Sequence, residues 1–299
     1  MMYGVKRIAK YLLGKDIAGR QVAVRPDDTF VVSYPRSGNT WTRFLIANLL
    51  FPDRAVSFAN IEQLIPDAEA QSSRFLKRLP SPRIIKSHQY FDHRYPKAVY
   101  ITRDPRDVAV SYYNFSRKYR HFADDFPLEQ YVHGFVNGAL MSSAWGTWGE
   151  NVGTWMAARN GRPGFLLLRY EDMIEQTETE LAKIARFFGM DASPEKLRKA
   201  ISNSSADRLR QLENQEGGEW VTTKDKRSDI PFIGSAVAGK WKSKLPAAAV
   251  GEIEMAWGPL MASLGYALTI PAAGDAVLAD SGRYAATTLQ TTHAGEKRG

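Results

Sequence analysis

Short apolar runs alternate along this chain with longer stretches in which apolar residues recur at every third or fourth position. Phe30, Val31 and Val32 form one run of strand formers; Pro35 and Gly38 interrupt it, and Phe44, Leu45 and Leu49 follow at the spacing of a core-facing helical stripe. Thr29 to Leu50 therefore reads as strand, tight polar turn and helix. Ile84 to Ile85, Val99 to Thr102 and Phe165 to Leu168 predict three more buried strands, each bounded by polar, Pro or Gly residues. Helical spacing predicts helices over Asp107 to Tyr119, Gly149 to Arg159, Glu178 to Phe188, Pro194 to Ala200 and Ala247 to Leu264. Buried strands alternating with helices imply an α/β fold, a three-layer sandwich around a central parallel sheet, with ligands at the carboxyl ends of the strands.

From about Asn203 the pattern turns irregular, and the Gly pairs, charges and two Trp of EGGEWVTTKDKRSDIPFIGSAVAGKW predict a mobile flap. No Pro/Gly/Ser linker divides the middle of the chain, so 29–268 is expected to be one domain. A basic segment, 1–28, precedes it. The Ala/Gly/Thr-rich tail, 269–299, has too little apolar periodicity to pack and is expected to be disordered.

Composition narrows the chemistry. A formal charge of +8 favours an anionic ligand, whether nucleotide, nucleic acid, acidic glycan or anionic membrane. The positive excess is spread along the chain without a Lys/Arg block, so nucleic acid is not the expected partner. The absence of cysteine excludes disulfides, thiolate zinc and a cysteine nucleophile, and the five histidines lack HExxH spacing, so no metal is expected. The opening MMYGVKRIAKYLLGKDIAGR lacks the hydrophobic run of a signal peptide, and no apolar stretch reaches the roughly 18 residues of a membrane span; a cytoplasmic protein is expected. The same opening, basic with scattered apolar residues, leaves peripheral membrane contact open.

The polar residues that follow each strand make up the candidate site. After the first, YPRSGNTW gathers the cation Arg36, the hydroxyls of Ser37 and Thr40, the Asn39 amide and the conformationally free Gly38. They stand at a helix N-terminus, where free N–H groups and the helix dipole favour phosphate or sulfate. After the second, KSHQYF places Lys86 and His88 two residues apart, on one side of an extended chain. After the third, RDPRDVAVSYYNF sets Arg103 at the strand end and Ser111 eight residues on, two turns into the next helix. That pair suits a second, separate phosphate, with Arg36 and Lys86 neutralising the first. RYEDM completes the rim. Histidine titrates near neutrality and suits removal of a proton from an attacking hydroxyl, and Trp41 offers an aromatic face for a purine.

These four blocks, in this order, resemble those of the sulfotransferases that use 3′-phosphoadenosine 5′-phosphosulfate (PAPS), and the likeness runs from Thr29 to Tyr266. YPRSGNTW looks like the family's P-loop-like 5′-phosphosulfate loop and RDPRDVAVSYYNF like its 3′-phosphate segment; KSH and RYEDM are similar to further family blocks. The resemblance implies sulfuryl transfer from PAPS to a hydroxyl, or less readily an amine, of an organic acceptor, with 3′-phosphoadenosine 5′-phosphate (PAP) as product and no metal. It makes His88 the base and Lys86 a stabiliser, and it places Arg36, in the position of the usual loop lysine, at the bridging and leaving oxygens. Ser37, Gly38, Asn39 and Thr40 would cradle the 5′-phosphate, Trp41 and Tyr170 meet the adenine, Arg103 and Ser111 grip the 3′-phosphate, and Ser205 lie in a nucleotide-contacting segment. The GxxxxGK[ST] pattern of P-loop kinases is absent, which weakens a nucleotide-kinase reading.

Three departures stand out. FIGSAVAGKW is similar to a family block reading Phe-x-Arg-Lys-Gly-x-x-Gly-x-Trp, yet Gly234 replaces its arginine and Ser235 its lysine; Ala206 stands where a phenylalanine often stacks on adenine. One phosphate clamp is missing unless Arg227, Lys226 or Lys240 supplies it. A non-catalytic nucleotide- or polyanion-binding relative is the alternative this leaves open. Asn39 replaces a common threonine and keeps the hydrogen bonding. The acceptor, whether small molecule, glycan or lipid, is not readable; Phe91, Tyr113, Phe115, Tyr119, Phe122, Phe126 and Tyr131 are its candidate lining. The dimerisation motif of the animal cytosolic relatives is not seen after Trp241, so no oligomeric state is implied.

Overall fold

A computed structural model of the chain describes residues 16–140 and 144–269. The first fifteen residues of the basic opening and all but the first residue of the expected disordered tail lie outside them. Four strands, β1 (Thr29–Ser33), β2 (Ile84–Ser87), β3 (Lys97–Thr102) and β4 (Phe165–Arg169), form one parallel sheet in the order β2-β1-β3-β4. Val31 pairs with Lys86 on one side and Val99 on the other, and Tyr100 pairs with Leu167. Every residue of β1 is buried, which is why the strands read as unbroken apolar runs rather than alternating ones.

The helices are α1 (Asn39–Leu50), α2 (Pro105–Lys118), α3 (Leu128–Val136), α4 (Trp148–Arg159) and α5 (Tyr170–Glu175). After these come α6 (Thr177–Phe187), α7 (Pro194–Asn203), α8 (Ala206–Glu216) and α9 (Ala247–Ser263), with further short turns of helix between. Successive strand residues face opposite layers. Phe30, Val32, Ala98 and Tyr100 pack with α2, α3, α4 and α9, while Val31, Val99 and Ile101 pack with α1, α6, α7 and α8. The local chemistry is legible at the helix starts. Asp104 caps α2 by accepting from the Arg106 N–H with Pro105 in the first turn, and Thr147 and Glu150 form a reciprocal capping box on α4.

Two boundaries differ from expectation. The irregular stretch begins not at Asn203 but after α8, whose only buried residues are Leu209 and Leu212 among charged neighbours, too few to show a periodic stripe. Of the basic segment before residue 29, the described part, from residue 16 on, packs against the domain. Ala18 and Val22 are buried in the core, the Ala18 and Gly19 N–H groups donate to Gln71 and Ala68 carbonyls, and Asp28 forms a two-pronged buried pair with Arg83. Among the described residues, no helix is long and apolar enough to cross a membrane.

Candidate active site

In this strand order the chain leaves β1 and β3 in opposite directions, which opens a crevice beyond their carboxyl ends. A cavity of about 1120 Å³ lies there, and residues at or just past the ends of all four strands line it: Arg36, Lys86, His88, Arg103 and Tyr170. Ser111, Thr40 and Trp41 share its wall.

The turn between β1 and α1 requires Gly38. Its φ is +93°, in the left-handed region, and an added Cβ would come within 2.4 Å of the Tyr170 ring. Arg36 donates from Nε to Ser111 Oγ at 3.3 Å and from Nη2 to the Phe232 carbonyl at 3.1 Å, between the Phe115 and Phe232 rings. Burial, then the charge of Arg103, lowers its pKa to about 10, so it stays cationic at neutral pH. Arg103 in turn donates to the Arg36 carbonyl at 3.1 Å and stacks on Tyr170, and its buried Nε has no partner. The two sets of residues expected to bind separate phosphates thus meet across the β1–β3 crevice, because an arginine at position 36 is long enough to reach Ser111.

Other expected residues divide. Trp41 meets Tyr170 edge to face at 6.0 Å. Ser37 is fully buried, is absent from the cavity wall and has an unpaired hydroxyl. The Asn39 side chain turns into the sheet, donating to the Val31 carbonyl and to Ser33 Oγ, both at 3.1 Å, so its amide is not offered to the turn as expected. Ser205 lines the cavity but spends its hydroxyl capping α8. Of the seven aromatics considered for the acceptor, Phe115 and Tyr119 line the cavity, while Phe91, Tyr113, Phe122, Phe126 and Tyr131 pack in the core.

His88 has a fixed tautomer. Its Nδ1 lies 2.8 Å from the Ser33 carbonyl, which can only accept, so Nδ1 carries the proton and Nε2 is the free base. Burial, reinforced by the Lys86 charge, pushes its pKa down to about 3 and keeps it neutral at pH 7. Lys86 is held at 2.8 Å by Asp67 and 3.3 Å by Glu69; an ammonium has three donors, which leaves one. Glu69 also accepts from Ser87 Oγ, the His88 N–H and Gln89. Burial acts to raise its pKa, and Lys86 with these donors outweighs burial and holds it below the usual value. Asn151, fully buried, accepts from Tyr100 and donates to the His88 and Trp145 carbonyls, tying α4 to the segment that carries the histidine.

Asp67, Glu69, Trp145 and Asn151 were missed in the sequence because nothing periodic marks 65–72 and a single Asn on a helix carries no signal of its own. Asp107 stood in plain view within RDPRD. It accepts from the Gly239 and Trp241 N–H groups and so anchors the far end of the irregular segment. Among the described residues, no cluster of His, Asp and Glu is built to hold a metal.

Taken together, a parallel sheet, a glycine turn and paired arginines at its switch point give an α/β fold with a cationic cavity at the carboxyl ends of its strands. The sulfotransferase domain model matches residues 26–265, and the chain belongs to that family. It is 29% identical over 235 residues to sulfotransferase 1B1 of Canis lupus familiaris, covering 73% of this chain and 78% of the relative. It is also 29% identical over 251 residues to a 3-beta-hydroxysteroid sulfotransferase of Cavia porcellus, covering 80% and 85%. Among solved structures, a retinol dehydratase in complex with androsterone and PAP superimposes with a TM-score of 0.67 at 22% identity, covering 88% of each chain. A mouse sulfotransferase complexed with PAP gives 0.66 at 22% identity, covering 81% of this chain and 86% of that one.

Proposed function

We propose that this enzyme transfers the sulfuryl group of PAPS to the hydroxyl of a small organic acceptor, with His88 as general base. The observation that carries the reading is the bond from His88 Nδ1 to the Ser33 carbonyl, which leaves Nε2 as the basic nitrogen of a residue on the cavity wall. In the reaction, Nε2 takes the acceptor's proton, the acceptor oxygen forms a bond to sulfur, and the bond from sulfur to the phosphate oxygen breaks. Lys86 and Arg36 offset the negative charge that gathers on the departing oxygen; Arg36 does so by turning from Ser111. Most of the acceleration comes from holding the two reactants in line, as in phosphoryl transfer.

The residues present suit such a donor. Arg103 Nε, on a residue of the cavity wall, has no partner of its own, and Gly38 lets the Tyr170 ring close against the turn. Trp41 and Tyr170, edge to face, offer a seat for a purine. A hydroxysteroid sulfotransferase among the relatives and the androsterone in the retinol dehydratase structure support a hydroxylated, largely apolar acceptor. Glycan and lipid acceptors belong in the same assay panel. Labelled sulfate transfer from PAPS to phenols, steroids, glycans and glycolipids identifies the acceptor. His88→Ala is expected to lower turnover by at least about a hundredfold while PAP binds as before; undiminished turnover would remove His88 as the base.

A further inference from the structure

Arg210 sits on the cavity wall one helical turn beyond Ala206. We infer that Arg210 is a ligand for the second, 3′-phosphate of the donor, an inference that rests on the PAPS reading above. Two small residues make room for it. Ala206 presents only a methyl group, and Gly234 has no heavy atom within 4 Å of where a Cβ would stand. Arg210 reaches across this gap and donates from Nη1 to the Gly234 carbonyl at 3.2 Å, while Nη2 meets Asp207 at 2.7 Å. A guanidinium has five N–H donors in a rigid fork, so three remain for an anion.

The position is right as well as the chemistry. Arg36, bonded to Ser111, holds the Phe232 carbonyl of the same backbone strap that Arg210 holds at Gly234. Residues two apart in a chain lie within about 7 Å of each other. The two guanidinium groups therefore grip one strap at points two residues apart, and both face the cavity that Ser111 and Arg103 also line. The other cations considered for this task fare less well. Arg227 is tied to Asp124 and Asp229 and does not line the cavity. Lys226 lines the cavity too, but its ammonium is engaged over the Tyr119 ring. Lys240 does line the cavity and serves as the comparison.

The test is calorimetry on the full chain with two probes, PAP and adenosine 5′-phosphate, which differ by the 3′-phosphate alone. Arg210→Ala is expected to weaken PAP binding by about tenfold or more and adenosine 5′-phosphate by less than about twofold. Lys240→Ala should weaken PAP less than Arg210→Ala does, and Arg210→Ala combined with Gly234→Arg should recover most of the lost affinity. Equal losses for both probes would make Arg210 a support of the strap rather than a phosphate ligand, and no loss for either would remove it altogether. If the unmodified chain does not prefer PAP to adenosine 5′-phosphate, the donor reading itself falls. If it does and Arg210→Ala leaves that preference intact, only the assignment of Arg210 falls.

Discussion

At Gly38 one added atom would strike the cavity wall. Its left-handed φ costs an alanine roughly 1–2 kcal/mol, and the new Cβ would collide with Tyr170, the ring on which Arg103 stacks and which Trp41 meets edge-on. Gly38→Ala is thus expected to weaken PAP binding by at least about tenfold with the fold retained, because the strain falls on Tyr170 where it lines the cavity, the proposed seat of the nucleotide. Calorimetry alongside near-ultraviolet circular dichroism checks both halves; unchanged affinity would mean that Tyr170 takes no part in the seat. Arg36 shows what position alone does not tell. The sequence placed it at the first phosphate, yet a guanidinium on three methylenes reaches Ser111 and the Phe232 carbonyl, a choice made by the distant strap.

At the scale of elements, that strap is held by three side chains from two helices. Glu213 of α8 accepts from the Phe232 and Ile233 N–H groups at 2.5 and 2.8 Å, Lys118 of α2 donates to the Arg227 and Ile230 carbonyls, and Asp107 receives the Gly239 and Trp241 N–H groups. Glu213→Ala leaves two N–H groups unpaired and takes a carboxylate from beside buried Lys118, at a cost of about 1–3 kcal/mol. The expected result is faster proteolytic cleavage within 217–240 and weaker PAP binding; cleavage no faster than in the parent chain would mean that Asp107 and Lys118 hold the strap alone. This also explains what the sequence hid. Phe30 to Val32 and Val99 to Thr102 were legible as strands because burial on both faces leaves no polar alternation to confuse them. The strap owes its shape to carboxylates and an ammonium contributed from α8 and α2, and long-range bonds of that kind leave no period in the chain.

For the whole molecule, the ionisable groups set a pH window. Tyr34, Tyr100 and Tyr266 are raised well above 10 by burial, and burial likewise raises Tyr95, Tyr112 and Tyr131. A group whose folded pKa is raised lends stability in full below its unfolded value and loses it as pH rises, so these tyrosines favour the fold up to about pH 10 and weaken it above. His88 works from the other end. Its pKa drops to about 3 in the fold against 6.5 when free, so below pH 6.5 the unfolded chain binds a proton that the fold refuses. His121, lowered by burial and then by Lys226, acts in the same sense. Glu69, held low by Lys86 and its hydrogen bonds against the effect of burial, adds to the loss as pH falls below 4.5. Urea unfolding midpoints are therefore expected to be flat between about pH 6.5 and 10 and to decline on both sides. His88→Asn should shallow the decline between about pH 6.5 and 5 without removing the contribution of His121. A parent chain whose midpoint stays constant down to pH 5, or a variant as steep as the parent, would show that His88 takes up its proton in the fold as readily as in water. The desolvated setting of the imidazole would then be lost, although a pKa of 6.5 would still leave it mostly neutral and able to act as a base at pH 7.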